Sequence, residues 1–256
     1  MTRLVDGAVL VTGAGSGIGA AIAREVAAAG AAVAVNDLDP AAARATTDSV
    51  VAAGGTAYPV PGDVADPQAA ARVVGTAGEL LGRLTGLVNN VGVVRGGPLR
   101  SIAADDWDAI MRIDCASALY CSQAALPALT AGAGAIVNLS SLCGIHAAPG
   151  AGAYNAAKAA VISLTRQMAL EWGPDGIRVN AIAPGIVSGT NFSASSRDPQ
   201  AAKRRGAAVP LGRTGSAADI APVAVFLLGD AARYVTGQVI AVDGGLGVAL
   251  QTLLPA

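Results

Sequence analysis

Tyr154 and Lys158 are four residues apart in the run GAYNAAKAAVISLTRQMAL, and Ser140 and Ser141 lie a short loop upstream. On a helix, positions i and i+4 share a face, one turn apart. A free phenol titrates near ~10, and a nearby positive charge favours the phenolate and lowers that value. A phenol and an ammonium held this way make a tuned acid, able to give or take a proton near neutral pH. A serine hydroxyl beside them can hold the oxygen on which the proton lands. The same spacing also describes a plain helix with a half-buried tyrosine and a snorkelling lysine. The surrounding elements decide between the two.

The N-terminal region supplies the first of those elements. AVLVT at 8–12 is short, apolar and rich in β-branched residues, the pattern of a buried strand. Gly13-Ala14-Gly15-Ser16-Gly17-Ile18-Gly19 follows directly, and AAIAREVAAAG then has helical composition, stopping at Gly30. A glycine turn between strand and helix lets the backbone approach a pyrophosphate, while the helix N-terminus offers unpaired N–H groups and partial positive charge. Gly13, Ser16, Gly17, Ile18 and Gly19 are therefore candidate cofactor-binding residues. A second strand, AAVAVN, runs into Asp37, about 20 residues after the turn, where a ribose-binding acid is expected. A carboxylate there accepts hydrogen bonds from ribose hydroxyls and repels a 2′-phosphate. Neither the following Leu38 nor Ser16 is basic, so the pattern reads as NAD(H) rather than NADP(H).

With these residues in place the chain resembles the compact, single-domain short-chain dehydrogenases/reductases almost end to end. The likeness begins with TGAGSGIG at Thr12–Gly19. GDV at Gly62–Val64 is similar to the family's adenine-contacting pair, here Asp63 and Val64. NNVG at Asn89–Gly92 resembles the motif that steadies the central sheet near the cofactor. IVNLSS, YNAAK, RVNAIAPG and the stretch from Pro210 to Gly245 complete the match. The resemblance implies a mechanism. Tyr154 is the general acid in reduction and the base in oxidation. Lys158 lowers its pKa and binds the nicotinamide ribose. Ser141, thirteen residues before the tyrosine, hydrogen-bonds the substrate oxygen. Asn90, Pro184, Gly185 and Val187 join the cofactor set, and the segment after Gly185 faces the nicotinamide end.

Two positions depart from the family pattern. In WDAIMRID, on a helix expected to start at Trp107, Asp114 replaces an asparagine that helps hold a water linking the lysine to solvent. An aspartate brings negative charge towards Lys158, holding it protonated while weakening its pull on Tyr154. It equally fits as an isosteric stand-in at a helix kink. After Gly185, either Ser188 or Thr190 could supply the usual threonine contact.

The chain has 256 residues, enough for one α/β domain spanning 1–256, and its strand–helix alternation shows no break that demands two. Strands are predicted near 8–12, 31–36, 56–60, 86–90, 134–140, 177–182 and 238–242, giving a Rossmann-type, doubly wound, seven-stranded and mainly parallel sheet flanked by helices. The formal net charge of −1 and aromatic content of 3% give no case for nucleic acid or an anionic membrane. No apolar run has transmembrane length, and no signal peptide is expected. Cys115, Cys121 and Cys143 lack metal-ligand spacing, so no metal is expected, and the odd number fits reduced thiols in a cytoplasm.

The segment 189–210 is expected to form a substrate lid, with Lys203-Arg204-Arg205 on a solvated helix face. Leu142, Cys143, Ile145, Val93, Val94, Ile186 and Phe192 are the candidate pocket wall, suited to an apolar ketone or secondary alcohol. His146, the only histidine, is expected at the pocket rim. The resemblance further implies a homotetramer, with one interface on helices near 107–129 and 154–172, where Ala156, Ala157, Ala159 and Ala160 allow close approach. Three other readings compete. Carrier-protein ketoreductases typically use NADPH and carry basic docking residues where this chain has Gly132 and Asp175. Non-catalytic dinucleotide sensors usually lose the Tyr or the Lys. Sugar-nucleotide epimerases need a longer C-terminal domain.

Overall fold

The structure, a computed structural model, describes Leu4, residues 7–189 and residues 199–253. Its centre is one seven-stranded sheet in the order β3-β2-β1-β4-β5-β6-β7, with every pairing parallel. The strands are β1 (Ala8–Val11), β2 (Ala32–Val35), β3 (Ala57–Pro59), β4 (Gly86–Asn89), β5 (Ala135–Leu139), β6 (Arg178–Pro184) and β7 (Val239–Val242). Each expected strand is present, with its ends shifted by one or two residues.

Parallel pairing requires crossovers, and the helices that make them cover both faces of the sheet. On one face Val9 and Val11 of β1 pack with Ile22 and Val26 of α1 (Gly17–Ala28) and with Ile220 and Leu227 of α9 (Ala217–Leu228). On the other, Leu10 of the same strand packs with Val73 of α3 (Pro67–Leu81), Leu129 of α5 (Ser117–Thr130) and Met168 of α7 (Tyr154–Trp172). Successive strand side chains point to opposite faces, so a strand covered on both faces is continuously apolar. All four residues of β1 are buried.

Local signals account for several element starts. Asp39 and Asp66 each cap a helix whose first residue is proline, α2 (Pro40–Ala52) and α3, accepting from Ala41 N–H at 2.8 Å and Ala69 N–H at 2.7 Å. The helix carrying Trp107 starts earlier than expected. It is α4 (Ala104–Met111), and it runs into a π-helical turn, Arg112–Ala116, that contains Asp114. A short helix, α6 (Leu142–Ile145), follows β5, and α8 (Pro199–Gly206) precedes α9. Among the described residues no helix is long and apolar enough to cross a membrane. The three cysteines are free thiols.

A buried polar chain ties the sheet to two helices. Asn89 Nδ2 donates to Ser122 Oγ at 2.9 Å and to Asn138 Oδ1 at 2.8 Å, and Asn138 Nδ2 donates to Thr165 Oγ1 at 2.9 Å. These bonds join β4, β5, α5 and α7. Buried amides that find partners fix register, whereas unpaired ones would be costly. The carboxyl ends of β1, β4, β5 and β6 consequently lie side by side at one edge of the sheet, the edge at which open α/β sheets bind ligands.

Candidate active site

The glycine turn leaves β1 at this edge. Gly13 and Gly17 have φ of +60° and +56°, a region that side chains rarely adopt. Gly19 is required for a different reason. A Cβ there would collide with the Gly13 carbonyl oxygen and come within 2.5 Å of Asn90 Nδ2. Asn90 Nδ2 donates to the carbonyls of Thr12 at 3.0 Å and Gly13 at 2.9 Å, so β4 holds the turn that follows β1. Ser16 precedes α1 without capping it through its side chain. The first turn of α1 therefore faces the cavity with backbone N–H groups and little else, a cradle that fits the pyrophosphate of a dinucleotide.

Asp37 lies just beyond β2. Its Oδ2 accepts from Gly15 N–H at 2.8 Å and its Oδ1 from Asp39 N–H at 3.0 Å. These two bonds fix the carboxylate against the glycine turn, while Leu38 beside it is 70% exposed. Asp63 turns its Oδ1 back to Ala65 N–H at 2.9 Å, and Val64 is buried in the core beside Val60 and Val73.

β5 ends at the two serines, and the structure separates their roles. Ser140 Oγ donates to the Lys158 carbonyl at 2.8 Å, joining the strand end to α7. Ser141 caps α6, its Oγ accepting from Cys143 N–H at 3.1 Å, and it hydrogen-bonds the Tyr154 side chain. This arrangement depends on Gly144, since a Cβ there would stand 2.7 Å from the Lys158 carbonyl and 2.8 Å from Ser140 Oγ. α6 can lie on α7 only without that atom.

Tyr154 opens α7 and Lys158 sits one turn on, as the spacing required. The contacts of the ammonium run to the strand end and to Asp114 as well as over the tyrosine ring. Lys158 Nζ donates to the Leu139 carbonyl at 3.1 Å, lies 3.5 Å from Asp114 Oδ2, and is 5.7 Å from the Tyr154 ring centre. Asp114 is buried, and its Oδ1 accepts from Val93 N–H at 2.8 Å. The 3.5 Å contact is an ion pair, longer than a charge-assisted hydrogen bond of ~2.7–2.9 Å.

The electrostatics correct one expectation. Tyr154 is pushed well above the ordinary phenol value. Burial is the main cause; the Ser141 hydrogen bond opposes it, and the charge of Asp114 adds to it. Burial likewise drives Asp114 up and Lys158 down, towards their neutral forms, and the attraction between the two opposes both shifts. Lysine at i+4 therefore does not by itself make a low-pKa phenol here.

A cavity of about 700 Å³ connects these parts, within the size range of small-molecule sites. Gly13, Ser16, Gly17, Ile18 and Asn90 line one end. Ser141, Cys143 and Tyr154 line the other, and Pro184, Gly185 and Val187 lie in the same wall. Of the expected apolar wall, Cys143, Val94 and Ile186 are present. Leu142, Ile145 and Val93 are not. Leu142 faces the segment after β7, with a Cδ 3.0 Å from where a Gly247 Cβ would be, and Ile145 and Val93 face solvent. His146 is exposed and approaches the same Gly247. Phe192 and Thr190 lie outside the described residues, while Ser188 makes a backbone bond to the Gly215 carbonyl at 2.9 Å. One lining residue was not expected. Arg205, on the last turn of α8, belongs to the cavity wall, although the charge run it closes reads in sequence as a solvated face.

A parallel doubly wound sheet with a glycine cradle and a Ser-Tyr-Lys group at its carboxyl edge defines a dinucleotide-dependent oxidoreductase acting on CH–OH groups. The chain belongs to the short-chain dehydrogenases/reductases. The family model that matches residues 13–247 is described as enoyl-(acyl carrier protein) reductase. Among curated relatives, the chain is 39% identical over 249 residues to 2-(S)-hydroxypropyl-CoM dehydrogenase 3 of Xanthobacter autotrophicus, covering 95% of this chain and 98% of that protein. It is 38% identical over 246 residues to meso-2,3-butanediol dehydrogenase of Serratia marcescens, covering 95% of each. A solved structure described as a putative NAD(P)-dependent gluconate 5-dehydrogenase from Beutenbergia cavernae, with NADP bound at low occupancy, superposes with a TM-score of 0.88. It is 38% identical and covers 95% of this chain and 98% of that one.

Proposed function

We propose that this chain is an NAD(H)-preferring dehydrogenase that interconverts a small secondary alcohol and its ketone, with Ser141, Tyr154 and Lys158 as the catalytic group. The observation that carries the reading is the shared cavity, with the glycine cradle at one end and the hydrogen-bonded Ser141 and Tyr154 side chains at the other. A nicotinamide dinucleotide bound along it supplies or accepts the hydride. Ser141 and Tyr154 hold the substrate oxygen between them. In reduction Tyr154 gives its proton to the developing alkoxide, and in oxidation the phenolate takes the hydroxyl proton. Lys158 orients the ribose and stabilises the phenolate, and Asp114 sets how much of the lysine's charge reaches it. The apolar residues Val94, Leu139 and Ile186 keep water from the reacting carbon. A screen of ketones and secondary alcohols with NADH and NAD⁺, followed at the nicotinamide absorbance, tests the reading. No turnover across the panel with either dinucleotide would reject it.

Asp37 supports NAD(H). Its carboxylate is held in place by two backbone N–H groups, and no base sits at position 38. Calorimetry is expected to find NADH bound more tightly than NADPH, and Asp37→Ala with Leu38→Arg to move the preference towards NADPH, because the pair removes a repulsive charge and adds a phosphate partner. Equal or tighter binding of NADPH by the parent chain defeats the assignment.

The same reading makes 1–256 one catalytic unit, with 189–210 as a lid, located in the cytoplasm, where its three free thiols remain reduced. Assembly as a homotetramer is part of it. Ala157 is buried inside the chain and cannot serve an interface, whereas Ala159 and Leu170 on α7 face outward. Light scattering at micromolar concentration is expected to give four copies per particle, and a monomer would contradict this.

A further inference from the structure

Ser140 is buried in the wall of the active-site cavity. The roles proposed for Ser141, Tyr154 and Lys158 leave it without one. Its hydroxyl is committed to the backbone of α7, donating to the Lys158 carbonyl at 2.8 Å. We propose that Ser140 is a positioning residue of the reaction: its hydroxyl sets how closely α6 lies on α7, and so keeps the Ser141 hydroxyl on the Tyr154 phenol. This deepens the dehydrogenase reading and rests on it.

Three elements meet at this side chain. Ser140 N–H donates to the Ile182 carbonyl of β6 at 2.8 Å, which fixes the residue to the sheet. Its Oγ reaches from there to α7. α6 then rests on the same hydrogen bond, because the space a Gly144 Cβ would fill is already bounded by the Lys158 carbonyl oxygen at 2.7 Å and Ser140 Oγ at 2.8 Å. Gly144 N–H donates to the Ser141 carbonyl at 2.9 Å, and Cys143 N–H to Ser141 Oγ at 3.1 Å. Ser141 therefore moves with Gly144. A helix of four residues has no stability of its own, so its seat on α7 decides where Ser141 stands.

The consequence falls on the phenol. The Ser141 hydrogen bond favours the phenolate, while the charges of Asp114 and Cys143 oppose it. Lys158 Nζ lies 5.7 Å from the ring centre. Asp114 belongs to the π-helical turn and Lys158 to α7, so neither moves when α6 loosens. Ser141 and Cys143 both do. Of these two the hydrogen bond acts more strongly than the Cys143 charge. Alanine at 140 removes the oxygen on which Gly144 rests, lets α6 drift and weakens the Ser141 bond. The phenol then becomes still harder to ionise. Oxidation needs the phenolate, so its pH profile moves to higher pH.

The test uses the full chain with NAD⁺ and cyclohexanol, followed at the nicotinamide absorbance across pH, with NADH binding measured by calorimetry. Ser140→Ala is expected to lower kcat at least ~10-fold, the scale of a hydrogen bond to a charged group, and to displace the oxidation profile to higher pH with NADH affinity retained. Ser140→Thr, which keeps the donor, regains most of the rate. Gly144→Ala lifts α6 from the same carbonyl, so the double variant is expected to be no slower than the slower single one, the non-additivity of two lesions in one contact. Amide hydrogen exchange over residues 142–145 is expected to quicken in Ser140→Ala. A Ser140→Ala variant with the parent's kcat and pH profile overturns the proposal, as does one that loses rate and NADH affinity together without moving the profile. Unchanged exchange over 142–145 overturns it too. Exchange reads the seat of α6 even where the parent oxidises no alcohol, so failure of the dehydrogenase reading is distinguishable.

Discussion

Tyr154→Phe is expected to lower turnover at least ~100-fold in both directions, the usual scale of general acid–base catalysis, with NADH affinity nearly unchanged. The phenol is buried at 7% exposure and hydrogen-bonded to Ser141, so phenylalanine removes one oxygen from a packed site without opening it. Other proton donors in the wall are poorly placed to substitute. Ser140 Oγ donates to the Lys158 carbonyl, and Lys158 Nζ donates to the Leu139 carbonyl beside Asp114. The upward shift of Tyr154 keeps the phenol protonated at neutral pH. Reduction then starts from the correct protonation state, and oxidation requires an alkaline medium. Steady-state rates of parent and variant, with NADH binding measured separately, check the prediction. Near-normal turnover in Tyr154→Phe would remove the tyrosine from the mechanism and favour a dinucleotide-binding protein without catalysis.

The parts of this site that sequence made legible are those whose neighbours along the chain fix their geometry. The glycine turn needed only its flanking strand and helix, and Gly13, Ser16, Gly17 and Ile18 lie in the cavity wall accordingly. The Tyr154–Lys158 spacing put both residues on one face of α7. Spacing did not reveal where the ammonium points. It meets the Leu139 carbonyl and Asp114, the latter 44 residues earlier in the chain and brought beside Lys158 by the π-helical turn. The tyrosine pKa is raised instead of lowered chiefly by burial, with the charge of Asp114 adding to it. Leu142 and Ile145 were misplaced because a four-residue helix has too few positions for a hydrophobic period to define a face. Arg205 was hidden in a run of three bases, where composition reports solvation and does not tell which base borders the cavity.

Lys158→Met is expected to destabilise the fold by ~3–5 kcal/mol at neutral pH, the scale for stranding one partner of a buried ion pair. Both side chains are almost wholly buried, at 4% and 0% exposure, and Asp114 Oδ2 has no hydrogen bond to replace the lysine. Adding Asp114→Asn to Lys158→Met should recover much of that loss, because an amide can keep the contact with Val93 N–H without carrying charge. Urea unfolding of the three chains measures it, and a double variant no more stable than Lys158→Met would show that the pair is not what holds this site. Asp114→Asn alone carries the mechanistic consequence. The carboxylate is one of the groups that raise Tyr154. Removing the negative charge therefore lets the tyrosine pKa fall. Oxidation needs the phenolate, so its rate should begin to rise at lower pH in Asp114→Asn than in the parent, with NADH affinity nearly retained. Lys158 keeps the Leu139 carbonyl in the variant, which preserves its position. An overlaid pH profile would reduce Asp114 to a filler of the helical turn. A displacement to higher pH would mean that the carboxylate acts mainly by keeping Lys158 charged, reversing the sign of the coupling.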